Sequence, residues 1–202
     1  MARELNSSEL AAVGAFIARR QDEIVKLISG LVEIESPSGD IQGSRAAVDL
    51  LEDAASNIPS LSSVERIVSP GYGEHLLIRA FCGNAGGEGA TLLLGHTDTV
   101  HPFGTLNSPH GLRAEGDRLY GPGVFDMKAA CVLAVEVLRC LTALALRPQR
   151  PVTLLLTCDE ETGSVTGRPL VDREARRAAQ VLVLEPPAPG GCVKTARKGV
   201  GA

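Results

Sequence analysis

Apolar residues recur every three or four positions over about residues 7–33, and this spacing predicts an amphipathic helix. Asn6 and Glu9 stand where a capping side chain and its reciprocal partner would lie, so they mark the beginning of the helix. We expect the helix to be broken near Gln21. After the loop ESPSGD, the pattern predicts a second helix over about residues 41–57.

Strand-like segments occupy much of the remaining chain. LSSVERIVS and EHLLIRAFC are joined by the turn PGYG, and three further segments, ATLLLGH, VTLLLT and QVLVLE, are almost wholly apolar. Strands of that composition belong to sheets covered on both faces. They alternate with helices predicted over residues 126–146 and about 167–179, which indicates parallel strands with right-handed crossovers. The predicted fold class is α/β, with a mostly parallel mixed sheet covered by helices on both faces.

Composition argues against several classes of partner. The 202 residues carry a net charge of −4, no tryptophan and 3% aromatic residues, so we expect no nucleic-acid partner. No apolar run approaches the roughly 18 residues of a membrane span, and Glu4 and Glu9 are unlike a signal peptide. The cysteines are odd in number and lack CxxC spacing, which predicts reduced, mostly buried thiols and a cytoplasmic protein.

Each of the three apolar strands ends in carboxylates. ATLLLGH runs through His96 to Asp98, VTLLLT is followed by the acidic residues 159–161, and QVLVLE ends at Glu185. Ligands of open α/β sheets bind beyond the carboxyl ends of the strands. We therefore expect these side chains to meet at one site.

Each of these residues also has a simpler explanation. His96 could be a surface histidine, Asp126 in YGPGVFDMK a carboxylate at a helix N-terminus, residues 159–161 a solvated loop, and Glu185 a strand-end carboxylate facing water. At a shared edge, however, one histidine and several carboxylates suit a divalent metal, and zinc best. Asp98 could hold the His96 ring, because alternate residues of an extended segment face the same way. A carboxylate not bound to metal could act as a general base.

Four motifs, GHTDTV, GPGVFDMKAA, DEETGS and VLEP, together with LVEIESPSGD near the N-terminus, resemble those of the dinuclear zinc exopeptidases and deacylases. This family includes glutamate carboxypeptidase, acetylornithine deacetylase, succinyl-diaminopimelate desuccinylase and aminoacylase, and the resemblance is closest to the carboxypeptidase G branch. It implies a zinc exopeptidase-like catalytic domain and two zinc ions, with cobalt or manganese as alternatives.

The resemblance also implies roles for individual residues. His96, Asp126 and Glu185 would hold the first zinc, and Asp126 would bridge to a second zinc bound by Glu161. The peptide bond from Asp126 to Met127 would be cis. Glu160 would be the general base, and Asp98 would orient His96.

One part of the family pattern is not matched by these motifs. The family has a further zinc-binding histidine after an inserted lid domain that helps to bind substrate and forms dimers. We therefore expect residues 1–202 to be the N-terminal portion of the catalytic domain, without the lid and the C-terminal catalytic segment, and to be inactive alone. The full-length form is expected to be a homodimer.

The expected reaction is zinc-dependent cleavage of an amide bond in a small peptide, releasing a C-terminal amino acid such as glutamate. The alternatives are an N-acyl amino acid deacylase or desuccinylase of the same family, and a metal-binding fragment without turnover. Among the remaining residues, His101 is a candidate to line the site, His75 and His110 are expected at the surface, and Cys158 is expected to be a buried thiol.

Overall fold

The computed structural model describes residues 4–83 and 89–196. Within these ranges the helices are α1 (Ser7–Glu33), α2 (Ile41–Ala55), α3 (Ala129–Ala143) and α4 (Gly167–Arg177). The strands are β1 (Leu61–Ser69), β2 (Gly73–Ala80), β3 (Thr91–His96), β4 (Arg113–Glu115), β5 (Arg118–Tyr120), β6 (Val152–Thr157) and β7 (Gln180–Val183).

Helix α1 begins at the predicted capping box, in which the Asn6 side chain accepts from the Glu9 backbone N–H and the Glu9 carboxylate accepts from the Asn6 backbone N–H. The predicted break near Gln21 is wrong, because α1 is continuous. Glutamine is a good helix former, and the apolar face continues through this point from Phe16 to Ile24, both buried.

The main sheet has the strand order β1-β2-β6-β3-β7. Pairing is antiparallel between β1 and β2 and between β2 and β6, and parallel from β6 to β3 and from β3 to β7. Four of the five strands therefore point the same way and β2 is reversed. Helices α1, α2 and α3 share the large core on one face, whereas α4 packs on a smaller cluster on the other. This confirms the predicted α/β class with a mixed, mostly parallel sheet.

The helix predicted over 126–146 differs from the structure at both ends. Helix α3 covers Ala129–Ala143 only, and the preceding Val124–Lys128 segment is an irregular turn. Asp126 and Met127 have non-helical backbone angles there, and the peptide bond between them is cis, as the resemblance implied. This turn places Asp126 beside the end of β3 rather than in the first turn of a regular helix.

The hairpin of β4 and β5 was not predicted. Its strands have three residues each and are mostly exposed, so they lack the apolar alternation by which strands are recognised. Among the described helices, none combines the length and the apolar character needed to cross a bilayer.

Candidate metal centre

The candidate site lies where three neighbouring parallel strands end. Strand β3 pairs with β6 on one side and with β7 on the other, so their carboxyl ends share one edge of the sheet. His96 is the last residue of β3. Glu160 and Glu161 follow β6 in a short helical turn, and Glu185 lies two residues beyond β7.

These side chains meet around the His96 ring, which is 1% exposed. The ring Nε2 lies 3.3 Å from Asp126 Oδ1 and 3.6 Å from Glu185 Oε1. Two overlapping groups have potential ligand atoms within 4.8 Å of one another. One consists of His96, Asp126 and Glu161, and the other of His96, Glu160 and Glu185.

Asp126 reaches this edge because of the glycine that precedes its turn. Gly123 has a left-handed backbone, with φ at 68°, and a Cβ built on it would lie 2.5 Å from Thr99 Cγ2. A larger residue would therefore both strain the backbone and displace the turn. The Asp126 side chain remains 53% exposed, so its carboxylate faces the open side of the site.

The His96 ring is held from its other nitrogen. Nδ1 lies 3.0 Å from the backbone carbonyl oxygen of Asp98 and 3.4 Å from its carboxylate Oδ1. A carbonyl oxygen only accepts, so Nδ1 donates to it. Nε2 faces the carboxylates of Asp126 and Glu185, so loss of its proton would present a lone pair to a metal held between them. We expected the Asp98 side chain to hold the ring, whereas the shorter contact comes from its main chain.

The Asp98 carboxylate instead has most of its contacts with neighbouring loops. It accepts from Ser38 Oγ at 2.5 Å and from the backbone N–H groups of Glu160 and Glu161, both at 3.1 Å. Asp98 is 2% exposed, so this buried charge is matched by several donors. One residue thus fixes both His96 and the backbone of the acidic turn.

The electrostatics of the site favour a cation. Burial lowers the pKa of His96, but its hydrogen bond to Asp98 and the charges of Asp98 and Glu185 outweigh burial and raise it to about 9. Burial raises the pKa of Glu161 and of Glu185, and the neighbouring Asp126 and Glu160 raise it further, against the opposing effect of His96. Carboxylates crowded in this way are stabilised by a positive charge, and a bound divalent metal would supply it.

The donor set fits zinc. One imidazole nitrogen with carboxylate oxygens is a ligand combination found at zinc sites, and carboxylates also suit manganese. His96 has its second nitrogen held by a carbonyl, which is the usual way of fixing a ligating imidazole. The residues of this chain therefore fit the metal that the sequence predicts.

The other histidines and cysteines divide between confirmed and wrong predictions. Cys158 is buried and His110 is exposed, as predicted. His75 is 1% exposed, so its predicted surface position is wrong: strand β2 is buried on both faces, and the ring is held between polar groups. His101 lines a small cavity with Glu35 and Lys128, to which none of the clustered carboxylates contributes. Four of the five cysteines are buried and all are free thiols.

Comparison with known proteins identifies the family. Residues 92–196, just over half of the chain, match the model of peptidase family M20/M25/M40. The chain therefore belongs to this family, which confirms the resemblance found in its motifs.

Among the curated relatives, carboxypeptidase G2 of Pseudomonas sp. (strain RS-16) is 33% identical over 172 residues, which is 84% of this chain and 40% of that protein. Acetylornithine deacetylase of Aliivibrio fischeri (strain MJ11) is 35% identical over 102 residues, covering 50% of this chain and 26% of that enzyme. The chain thus spans less than half the length of the curated relatives that it matches.

Solved structures show the same fold. Human carnosine dipeptidase 1 superposes with a TM-score of 0.72 at 22% identity, covering 86% of this chain and 40% of that chain. The M20 family metallo-carboxypeptidase Sso-CP2 from Sulfolobus solfataricus gives a TM-score of 0.67 at 17% identity. The superposition covers 84% of this chain and 39% of that chain. At these identities the likeness supports the fold alone.

Proposed function

We propose that the complete gene product is a zinc-dependent hydrolase that cleaves an amide bond next to a carboxylate-bearing amino acid. The observation behind this proposal is the convergence of His96 Nε2 with four carboxylates at the carboxyl edge of the sheet. His96, Asp126 and Glu185 would hold one zinc, and Asp126 and Glu161 would contribute to a second.

Bound zinc would polarise the carbonyl group of the scissile bond and lower the pKa of water at the site. The chain's own residues would orient the reactants and move the protons. Glu160 lines the cavity beside His96 and Glu185, so its carboxylate is placed to take a proton from the attacking water and pass it to the leaving amine. Asp98 would keep His96 Nε2 directed at the metal by holding Nδ1.

Glu160 and Glu161 belong to different groups of potential ligands. Glu161 shares one group of potential ligands with Asp126, whereas Glu160 shares the other with Glu185. Geometry alone therefore admits either glutamate as a ligand. We assign Glu161 to the metal because the family resemblance implies that order, and the assignment can be tested directly.

The test is zinc binding by the 202-residue chain, measured by equilibrium dialysis. We expect about one zinc per chain, lost in His96→Ala and in Asp126→Asn. Asp117→Asn is the control, because the Asp117 side chain is 98% exposed, lies on the β4–β5 turn and belongs to neither group of potential ligands. If the wild-type chain bound no more zinc than the His96→Ala variant, the proposed metal site would be wrong. Glu160→Gln and Glu161→Gln should both retain this zinc, since neither glutamate is assigned to it, and zinc loss in Glu160→Gln would make Glu160 a ligand rather than the base.

A cavity beside the cluster supports a substrate with a free carboxylate. It has a volume of about 300 Å³ and is lined by Glu160, Glu185 and the apolar side chains of β3, α4 and β7, with Arg168 as its cationic residue. A guanidinium binds carboxylates with paired hydrogen bonds. Arg168 is therefore our candidate for recognition of the substrate carboxylate.

Both a C-terminal amino acid and an N-acyl amino acid carry such a carboxylate, so Arg168 does not choose between peptidase and deacylase. We propose the carboxypeptidase, since carboxypeptidase G2 is 33% identical over 84% of the chain, whereas the acetylornithine deacetylase of Vibrio campbellii (strain ATCC BAA-1116) is 28% identical over 80%. The second candidate is the deacylase. A panel of C-terminal glutamate peptides and N-acetyl and N-succinyl amino acids, assayed on the complete gene product, would decide. Faster cleavage of the N-acyl compounds would favour the deacylase.

A further inference from the structure

The acidic loop that follows β6 is closed by one buried histidine. His75 on β2 lies against both ends of this loop, which we define as residues 158–166. Its Nδ1 lies 3.2 Å from the backbone nitrogen of Cys158, and its Nε2 lies 3.0 Å from Thr166 Oγ1. Glu160 and Glu161 lie on the loop between these two contacts.

The hydrogen bonds fix the tautomer of His75. An amide N–H only donates, so Nδ1 accepts from Cys158 and carries no proton. Thr166 Oγ1 donates to Asp159 Oδ2 at 2.9 Å, because a carboxylate oxygen accepts, and its lone pairs are then free for a donor. Nε2 carries the proton and donates to Thr166. Burial lowers the pKa of His75, against the opposing charges of Asp159 and Asp98, so the ring is neutral as this arrangement requires.

Asp159 completes the closure. Its carboxylate is fully buried and accepts from the backbone N–H groups of Thr166, at 2.6 Å, and Gly167, at 3.2 Å, where α4 begins. The polar chain therefore runs from Cys158 through His75 and Thr166 to Asp159. It joins the beginning of the loop to its end without involving the side chains of Glu160 and Glu161.

The interior of the loop contains one residue, Ser164, with an unfavourable backbone conformation. Gly163 and Ser164 are both left-handed, with φ at 96° and 55°. A non-glycine residue in this region costs free energy and persists where the surroundings hold it. The contacts that hold the acidic turn from outside include the Asp98 carboxylate on one side and, on the other, the His75 ring and the hydroxyl of Ser69, which contacts Thr166 Oγ1.

We propose that His75 is a positioning residue of the candidate metal site, which sets the place of Glu160 and Glu161 by tying together the two ends of their loop. The effect of His75 on zinc binding rests on the proposed function. The hydrogen bonds from His75 to the two ends of the loop are present in the metal-free chain. His75 lies outside the four sequence motifs and outside the set of candidate ligands.

Two variants separate the two contacts of the ring. His75→Asn keeps an acceptor near the Nδ1 position for Cys158 but is too short to reach Thr166. His75→Gln places an amide near the Nε2 position for Thr166 and loses the contact with Cys158. Leu77→Ala is the matched control, because Leu77 lies two residues along β2 on the same face, is buried, and makes no hydrogen bond to the loop through its side chain.

The first readout is amide hydrogen exchange in the metal-free chain. The Glu160 and Glu161 amides are held by Asp98, so opening of the loop releases them for exchange. We expect both histidine variants to accelerate exchange at these two amides by about tenfold or more relative to the β6 amides, and Leu77→Ala to accelerate both regions equally. Equal acceleration of both regions in the histidine variants would overturn the inference.

The second readout is the ring nitrogen signals of His75 in a ¹⁵N NMR spectrum of the wild-type chain. A neutral ring with its proton on Nε2 is expected, and a proton on Nδ1 would exclude the bond from Cys158.

The third readout is the affinity of the complete gene product for the second zinc, to which Glu161 would contribute. We expect this affinity to fall about 10- to 100-fold in both histidine variants and to stay within about twofold in Leu77→Ala. If the wild-type protein binds two zinc ions and the histidine variants bind both equally well, His75 does not position a metal ligand. If the wild-type protein binds no zinc, the proposed function fails, and exchange and NMR still test whether His75 joins the two ends of the loop.

Discussion

Asp98 shows how much a single residue can organise at this site. Its backbone carbonyl holds the His96 ring, and its carboxylate receives two amides from the turn that carries Glu160 and Glu161. The hydrogen bonds to His96 and Ser38 hold the pKa of Asp98 below its usual value although burial acts to raise it, so the carboxylate is ionised at neutral pH. Its neighbours therefore experience a full negative charge.

The prediction at this scale is that Asp98→Asn will weaken zinc binding by about 10- to 100-fold. The asparagine keeps the backbone carbonyl for His96 but removes the carboxylate charge 3.4 Å from its Nδ1, which raises the pKa of the ring and so strengthens it as a ligand. Its NH₂ group also cannot accept from one of the two loop amides. Zinc titration of the chain measures the effect, with Asp117→Asn as the exposed control. An Asp98→Asn variant that bound zinc as tightly as the control would show that the carboxylate does not support the site.

Residue chemistry also determined what could be predicted. His96, Asp126, Glu160, Glu161 and Glu185 were predictable because each follows a strand or a glycine turn that is visible in the sequence. The two hydrogen bonds from the backbone N–H groups of Glu160 and Glu161 to the Asp98 carboxylate could not be predicted. Asp98 contacts amides 62 and 63 positions away, and which N–H groups a carboxylate meets depends on packing that no local pattern encodes. His75 was missed because a histidine beside a glutamate at the start of a strand looks like a solvated position.

At the scale of elements, helix α4 carries the end of the acidic loop and must itself be anchored to the sheet. Glu174 of α4 is 3% exposed and accepts from Arg79 of β2 at 2.9 Å and 3.1 Å, and from Arg173 at 2.8 Å. Burial raises the pKa of Glu174, but the hydrogen bonds from the two arginines outweigh burial and lower it overall. The ionised carboxylate is thus stabilised in the folded state.

We predict that Glu174→Gln will lower the free energy of unfolding at pH 7 by about 2 kcal/mol, because charge-assisted hydrogen bonds to a buried carboxylate are lost. A lowered folded-state pKa means that the unfolded chain takes up a proton first, so this stabilisation is present above the unfolded value near 4.5 and is lost as pH falls through the folded value. Urea unfolding at pH 7, 5 and 4 measures it. The difference from wild type should shrink below about pH 4.5.

Asp172→Asn, on the exposed side of the same helix, is the control and should change the free energy of unfolding by less than about 0.5 kcal/mol. A difference between Glu174→Gln and wild type that stayed constant down to pH 4 would show that the ion pair does not stabilise the folded chain.

Elements were predictable in proportion to the strength of their pattern. The long helix α1 and the apolar strands β3 and β6 have strong periodicity or composition, and they were placed within a few residues. Residues 126–128 of the turn Val124–Lys128 were assigned to a helix because their sequence continues into α3 without a breaker, whereas the backbone of the turn is set by Gly123 and its close approach to Thr99. The three-residue strands of the β4–β5 hairpin are too short to leave a pattern.

At the scale of the whole molecule, the described residues supply more carboxylates than imidazoles. His96 is the single histidine in the cluster of potential ligands found in residues 4–83 and 89–196, and both groups of ligands share it. In the proposed assignment one zinc would be held by His96, Asp126 and Glu185, whose two carboxylates lie 3.3 Å and 3.6 Å from His96 Nε2. A second would have Asp126 and Glu161 only, one short of the three protein ligands usual at a catalytic zinc.

We therefore predict that residues 1–202 alone will bind zinc but will not appreciably hydrolyse C-terminal glutamate peptides or N-acyl amino acids. An incomplete second metal site and imprecise orientation of the substrate each remove several kcal/mol of barrier lowering.

In the complete gene product, Glu160→Gln should retain zinc and lose activity by at least about 100-fold, because this carboxylate moves protons without holding metal. Hydrolysis and bound zinc should be measured on the same samples, with Asp117→Asn as the control. Rapid turnover by residues 1–202 would contradict the ligand count, and an active Glu160→Gln enzyme would assign the proton transfer to another group.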